Sequence, residues 1–82
     1  MSNDDPAKNS LVIAKVNVLH DPVGNTLVVW FGEPTEEVEA EETGDEVILM
    51  KDKDGKVIGF EKLNFLPHSD QPIRVAFETL VA

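Results

Sequence analysis

The chain has 82 residues, no cysteine and a formal charge of −9, which results from 7 bases and 16 acids. Its length is typical of one small domain with a thin core. The lack of cysteine excludes disulfides, a thiolate nucleophile and cysteine-based zinc sites. No stretch approaches the roughly 18 apolar residues that a membrane-spanning helix needs, and residues 1–8 lack the pattern of an export signal. We therefore expect a cytoplasmic protein that does not bind membranes.

The negative charge is concentrated in one segment of the chain. Residues 33–46 contain 8 of the 16 acids and no base, so the remainder of the chain is close to neutral. Affinity for DNA and RNA comes mainly from Lys and Arg side chains that neutralise phosphates, so we expect no nucleic-acid binding. The acids of this segment are Glu33, Glu36, Glu37, Glu39, Glu41, Glu42, Asp45 and Glu46.

The first part of the chain predicts a tail and a first strand. Residues 1–10 are polar and have no apolar period, which predicts a disordered tail ahead of a single domain over residues 11–82. β-branched residues begin at Leu11, and the alternation around Asn17 predicts a half-buried strand over residues 11–18.

A turn and a second strand follow. Residues 20–25 are rich in turn formers, because Pro fixes φ, Gly tolerates positive φ, and Asp and Asn bond to nearby backbone. Residues 26–31 are apolar on both alternating sets, so neither face of this strand is expected to be fully wet. We expect it to be a central strand of a sheet.

The middle of the chain predicts three further extended segments. Residues 36–43 alternate acids with Val38 and Ala40, which is typical of a charged edge strand, although a short helix capped by Thr35 also fits. Residues 46–52 and 56–65 predict two main strands joined by a tight, Gly-containing turn.

The C-terminal part is a proline-containing loop followed by an ambiguous segment. Residues 67–72 contain two prolines, which predicts a loop. Residues 73–81 fit a strand by alternation and a helix by i, i+3, i+4 spacing, and their Val and Ile content favours the strand. The predicted fold is mainly β, an antiparallel β-meander of about four main strands, with this C-terminal strand or short helix packed on the sheet.

Between Val16 and Phe65 the sequence resembles a known family, the small bacterial domain of unknown function numbered 2283. The likeness rests on a turn at residues 20–22, a strand centred on Leu27, and a hairpin pattern over residues 52–61 with Gly55, Gly59 and Glu61 in place. His20 replaces a frequent Tyr in that pattern, and Asn25 a common Asp. The resemblance implies a small β domain with no established activity, some of whose relatives resemble partners encoded beside toxin-like proteins.

Three clusters have the residue types of catalytic or metal sites but not their spacing. In residues 52–61, the glycine and glutamate do not occupy the positions that a calcium loop needs, so we expect Asp52 to accept local backbone bonds and Gly55 to supply positive φ. His68, Ser69 and Asp70 are adjacent, whereas a triad needs side chains from separate segments. His20 and Asp21 fit a turn better than a catalytic or metal-binding pair. We therefore expect no catalytic residue, no metal ligand and no cofactor.

The remaining candidates are binding residues. Trp30 and Phe31 point to opposite faces of a strand, and we expect Trp30 to be covered by the C-terminal segment or by another chain. The acidic segment fits an anionic docking surface for a basic partner or a solvated, aggregation-resisting segment. The sequence favours a non-catalytic protein-interaction module; the alternatives are a structural homo-oligomer, such as a homodimer, and a small enzyme or metal-binding protein. The predicted partner-binding residues are Trp30, Glu33, Glu36, Glu37, Glu39, Glu41 and Glu42.

Overall fold

The computed structural model describes residues 13–81. Within this range the strands form one antiparallel sheet, and there is almost no helix. The predicted mainly β class is thus confirmed, with five strands instead of about four. The predicted tail over residues 1–10 lies outside the described residues. The strands are β1 (Asn17–Asp21), β2 (Thr26–Trp30), β3 (Glu39–Glu42), β4 (Val47–Lys51) and β5 (Val57–Lys62), and a short 3-10 turn spans Pro34–Glu36.

The strand order in the sheet is β1-β2-β5-β4-β3. Strands β3, β4 and β5 form the expected meander, but β2 pairs with β5 instead of with β3. The order therefore departs from a simple meander at one connection, because the chain after β2 crosses to the far edge before it returns. As a result β5 is the middle strand, and β2, the predicted central strand, lies next to it.

The turn residues explain the two tight hairpins. In the β1–β2 turn, Asp21 Oδ1 accepts a hydrogen bond from the Val23 amide at 2.9 Å, and Asn25 has a φ of 55°. In the β4–β5 turn, Asp52 Oδ1 accepts from the amides of Asp54 and Lys56 at 2.9 and 3.0 Å. Gly55 has a φ of 78°, so the roles predicted for Asp52 and Gly55 are confirmed.

The acidic segment forms an edge strand and not the alternative helix. Pro34 begins only a single 3-10 turn, after which the backbone is extended at Glu37. The Val38 amide donates to the Lys51 carbonyl at 2.9 Å, and β3 then pairs with β4 in antiparallel register. Glutamate has a low intrinsic strand propensity, so pairing with β4 decides the conformation here.

The register defines two faces of the sheet. One, here the Trp30 face, carries Trp30, Gly59 and Met50 in one row across β2, β5 and β4. The opposite one, here the Phe60 face, carries a row across β1, β2, β5 and β4 that consists of Val18, Val29, Phe60 and Leu49. Within the described residues, the buried hydrophobic core is limited to Met50 and Ile58, each 5% exposed.

Two predicted elements differ from the structure. The first strand begins at Asn17: residues 13–16 belong to no strand, and residues 11–12 lie outside the described part of the chain. Residues 71–81 form neither a strand nor a helix, and all of them are exposed. The prediction of a packed C-terminal element was wrong for this chain on its own, because alternation creates a strand only where another strand supplies hydrogen bonds.

Candidate functional site

The clearest candidate site is the β3 side of the sheet, here called the acidic edge: β3 together with the acids of residues 36–46. The predicted binding residue Glu33 lies apart from it, in a shallow pocket with Lys15 and Asn17 beside β1 and β2. Strand β3 is last in the sheet order, so one side of its backbone has no neighbouring strand. All four of its residues are exposed. An open edge offers unpaired N–H and C=O groups to any chain that approaches it, and charged side chains on that edge restrict which chains can do so.

Side-chain direction divides the acids of β3 between the two faces. Glu41 lies in register with Leu49 and therefore on the Phe60 face, together with Glu39. Glu42 lies in register with Ile48 and therefore on the Trp30 face. A partner that approaches the acidic edge from either face thus meets carboxylates.

Two lysines neutralise part of this charge. Lys51 on β4 forms an ion pair with Glu41, and this hydrogen bond raises the pKa of the lysine. Lys62 Nζ, at the end of β5, lies 3.4 Å from Glu46 Oε2, and Glu46 Oε1 accepts a hydrogen bond from Asn64 Nδ2 at 3.0 Å. The bond from Asn64, followed by the effect of Lys62, lowers the pKa of Glu46.

Six of the eight acids of residues 33–46 form no ion pair with another residue of the described part of the chain. All of them are exposed. Their charges are therefore available to an incoming cation, within the reach that solvent screening allows. They are Glu33, Glu36, Glu37, Glu39, Glu42 and Asp45.

A shallow groove adjoins the acidic edge between the 3-10 turn and the β4–β5 turn. Its volume is about 420 Å³. Its walls combine carboxylates with one apolar side chain, Val38, which is 67% exposed. The groove gives the edge a concave portion, and it is lined by Thr35, Glu36, Val38, Asp52, Lys53 and Asp54.

Trp30 is not part of the acidic edge formed by β3. Strands β5 and β4 separate β2 from β3, which is three strand spacings or roughly 14 Å. Its ring instead covers Gly59, where an added Cβ would lie 2.7 Å from ring atom Cε3. The side chain is half-buried, and the C-terminal segment that was expected to cover it is itself exposed. Of the predicted binding residues, only Glu33 is close to it along the chain.

The histidines occupy separate structural positions. The His20 ring packs edge-on against Phe65, with ring centres 5.8 Å apart, and Asp21 is used in the β1–β2 turn. His68 lies in the loop of residues 67–72, where its amide donates to Gln71 Oε1 at 3.1 Å. Over residues 13–81, no group of three or more His, Asp or Glu side chains is arranged to hold a metal ion. None of the helical structure described in this range could cross a membrane.

Asn25 is a structural residue that the sequence did not reveal. Its Nδ2 donates to the Leu66 carbonyl at 2.8 Å, and its Oδ1 accepts from the Leu66 amide at 3.0 Å. Its own carbonyl accepts from the Phe65 amide at 3.0 Å. These bonds fix the chain after β5 against the β1–β2 turn. The partners are about forty positions apart in sequence, so no local pattern predicts them.

Comparison with known proteins identifies a family. A family model described as "Protein of unknown function (DUF2283)" matches residues 17–65, which cover β1 to β5 and the segment that follows. No curated protein and no solved structure matches the chain.

Proposed function

This chain belongs to the DUF2283 family, and we propose that it is a non-catalytic protein-interaction module of the cytoplasm whose acidic edge binds a basic partner. The observation that carries the proposal is the position of the acids. Glu39, Glu41 and Glu42 lie on the terminal strand of the sheet, where an unpaired backbone edge and exposed carboxylates occur together.

The physical argument begins with the backbone. A second strand that adds to β3 would form main-chain hydrogen bonds regardless of its sequence. The carboxylates of Glu39 and Glu42, one on each face, then select for Lys and Arg in that strand and against acidic chains. The same charges oppose pairing of β3 with the β3 of a second copy.

The charge also affects the rate of association. Excess negative charge at one end of the sheet attracts a cationic protein over about one Debye length, roughly 8 Å at physiological salt. Such steering increases association rates and weakens as salt rises. A nuclease-like toxin with a basic phosphate-binding groove is one partner of this chemistry, in which case the carboxylates would occupy the positions of phosphates.

Two other functions remain to be compared with this proposal. The acids could serve only to keep the edge soluble, in which case no partner depends on them. A structural homo-oligomer is favoured by a different observation, namely that both faces of the sheet carry half-exposed apolar side chains. If the acids only keep the edge soluble, no partner is released by salt. If the chain is a homo-oligomer held by its apolar faces, salt does not weaken the association.

The test is capture of partners from the native host with the immobilised full-length chain, at about 50 mM and about 500 mM salt. We expect basic proteins that bind at low salt and are released at high salt. A variant with Glu39→Gln and Glu42→Gln should bind the captured protein about 2- to 30-fold more weakly, since an exposed ion pair contributes roughly 0.2–1 kcal/mol.

The matched control neutralises two acids outside the acidic edge and its groove, Asp70→Asn and Glu78→Gln. Both side chains are exposed, and neither forms an ion pair with another described residue. The control changes net charge by the same amount and should retain affinity. Equal weakening by both variants would mean that only net charge matters, and recovery of only neutral or acidic proteins would refute the proposal.

A further inference from the structure

The sheet lacks a second layer on either face within the described residues. On the Phe60 face, Val18 is 50% exposed, and Val29, Phe60 and Leu49 in the same row are only half-buried. A sheet with an apolar face becomes stable in water when another layer covers that face. The Trp30 face is better covered at its centre, because Met50 on that face is only 5% exposed. Each face carries one charged side chain in the next row, Glu61 between Val28 and Ile48 on the Trp30 face and Lys62 between Leu27 and Val47 on the Phe60 face.

The C-terminal segment, here residues 72–81, carries apolar side chains that are exposed instead of packed. It is rich in apolar side chains, and all of its described residues are exposed. Phe77 is 84% exposed and Leu80 is 91% exposed. The segment forms no hydrogen bond with another residue of the described range, so its backbone groups face water. Ile73, Val75 and Phe77 alternate with Arg74 and Ala76, the pattern of a strand with one apolar side.

The chain leaves the sheet in a fixed direction. Asn25 holds Leu66 through two hydrogen bonds, and Pro67 follows at once. The next four residues close a turn in which the Gln71 amide donates to the His68 carbonyl at 3.1 Å and the Gln71 side chain accepts from the His68 amide. Pro72 then restricts φ at the start of the segment. These bonds order the chain that leads into the segment.

We propose that the C-terminal segment of one copy covers the Phe60 face of a second copy, and that the exchange is reciprocal in a two-fold dimer. Each copy has an exposed apolar face and an exposed apolar segment. In a reciprocal exchange the segment of each copy covers the Phe60 face of the other. The segment is long enough: ten extended residues span about 33 Å, whereas the five strands of a sheet span roughly 19 Å.

The charge of the C-terminal segment also favours binding to the Phe60 face. The segment contains a single base, Arg74, next to its first apolar residue. On the Phe60 face, the β3 end of the sheet carries Glu39 and Glu41, of which Glu39 forms no ion pair with another described residue. A segment that crosses this face toward β3 can therefore place its guanidinium beside an available carboxylate.

This dimer shares one residue, Glu39, with the proposed binding of a basic partner and otherwise uses different parts of the chain. It uses the apolar face and the C-terminal segment, whereas the partner uses the outer backbone of β3. Dimerisation should therefore persist at high salt, which releases the basic partner. Failure of one proposal leaves the other standing.

The decisive experiment is NMR on the full-length chain with mixed labels. Equal amounts of a ¹³C,¹⁵N-labelled copy and an unlabelled copy are unfolded together and refolded, and contacts between labelled and unlabelled copies are selected by isotope filtering. We expect contacts from the Phe77 ring of one copy to the Val29 and Leu49 methyl groups of the other. Contacts confined to one copy, contacts to the Trp30 face, or a lack of contacts from Phe77 would each overturn the proposal.

A pair of variants tests the same proposal by mass. Sedimentation of the wild-type chain at about 10 μM, in the micromolar range where a moderate interface is occupied, should give twice the chain mass of 9.0 kDa. Phe77→Asp should give a monomer. The matched control is Val23→Asp, which introduces the same charge at a side chain that is 95% exposed in the β1–β2 turn, and it should remain a dimer.

A monomeric wild-type chain, or a Phe77→Asp variant that remains a dimer, would contradict the exchange. If the Phe77→Asp variant does not fold, the mixed-label contacts of the wild-type chain still decide between exchange and its alternatives.

Discussion

The β4–β5 hairpin and the C-terminal segment have similar compositions but different structures. Both are rich in Val, Ile and Phe, in continuous apolar runs in the hairpin and at the alternate positions 73, 75 and 77 in the C-terminal segment. In the hairpin, the Asp52 turn brings two such runs into register, and β2 and β3 then pair with its outer sides. The C-terminal segment has no turn that returns it to a partner, and it stays exposed. A composition rich in Val, Ile and Phe therefore shows that a segment suits a strand, and the availability of a partner strand decides whether the strand forms.

The largest effect is expected from a change that breaks the packing of the well-paired region, Gly59→Ala. An added Cβ would lie 2.7 Å from both the Trp30 ring and the Val29 carbonyl oxygen, and the carbonyl cannot move without disturbing the ladder. We expect a loss of about 2–3 kcal/mol in the free energy of unfolding, the typical effect of overpacking. Urea denaturation measures it.

Gly55→Ala is the control for this prediction, because no atom lies within 4 Å of its added Cβ. Its positive φ alone should reduce stability by about 1 kcal/mol. Equal losses for the two variants would mean that close packing under Trp30 is not what Gly59 provides.

A smaller effect is expected at the junction between the two regions. Asn25→Gly preserves the positive φ but removes both side-chain hydrogen bonds to Leu66. We expect a loss of about 1–2 kcal/mol, from two partly buried hydrogen bonds. Denaturation again measures it, and an increase in amide exchange at Leu66 should accompany it.

The matched variant is Asn64→Gly, which also has a positive φ, and whose side chain makes one exposed bond to Glu46. It should have the smaller effect. A greater loss for Asn64→Gly than for Asn25→Gly would show that the chain exit is not held by Asn25.

The smallest effect concerns pH. Because hydrogen bonding from Asn64 and the nearby Lys62 lower the pKa of Glu46 in the folded state, its contribution to stability is complete above the ordinary glutamate pKa. That contribution is lost as the pH falls through the lowered folded-state pKa. Between about pH 6 and about pH 3, Glu46→Gln should therefore reduce the dependence of Tm on pH relative to the wild-type chain.

Glu42→Gln is the control for the pH prediction, because Glu42 forms no ion pair with another described residue. Its pH profile should follow that of the wild-type chain. A wild-type profile in the Glu46→Gln variant would mean that the contacts with Asn64 and Lys62 do not act on stability.

The parts of the fold that the sequence predicted are those determined by neighbouring residues. Asp52 and Gly55 predicted their turn because Asp bonds to amides two and four positions ahead and Gly accepts positive φ. The edge position of β3 was indicated by its charges, because an interior strand could not bury them.

The parts that the sequence did not predict depend on distant residues. The turn predicted that β5 pairs with β4, but nothing near β5 indicates that β2 lies on its other side, or that its Gly59 underlies Trp30. The acidic segment was identified as a candidate site, but its separation from Trp30 follows only from the strand order. Asn25 could not be linked to Leu66 for the same reason. For the C-terminal segment, the sequence indicated an apolar side but not where its partner is.

The most direct test of the proposed function is residue-resolved amide hydrogen exchange of the full-length chain, with and without the captured basic partner. At low salt, bound partner should slow exchange in β3, at amides that do not pair with β4, and this protection should disappear at high salt. Exchange in β1, at the opposite edge of the sheet, should be unchanged. Protection confined to β1 or to the Trp30 face, with β3 exchanging as in the free chain, would contradict the role of the acidic edge.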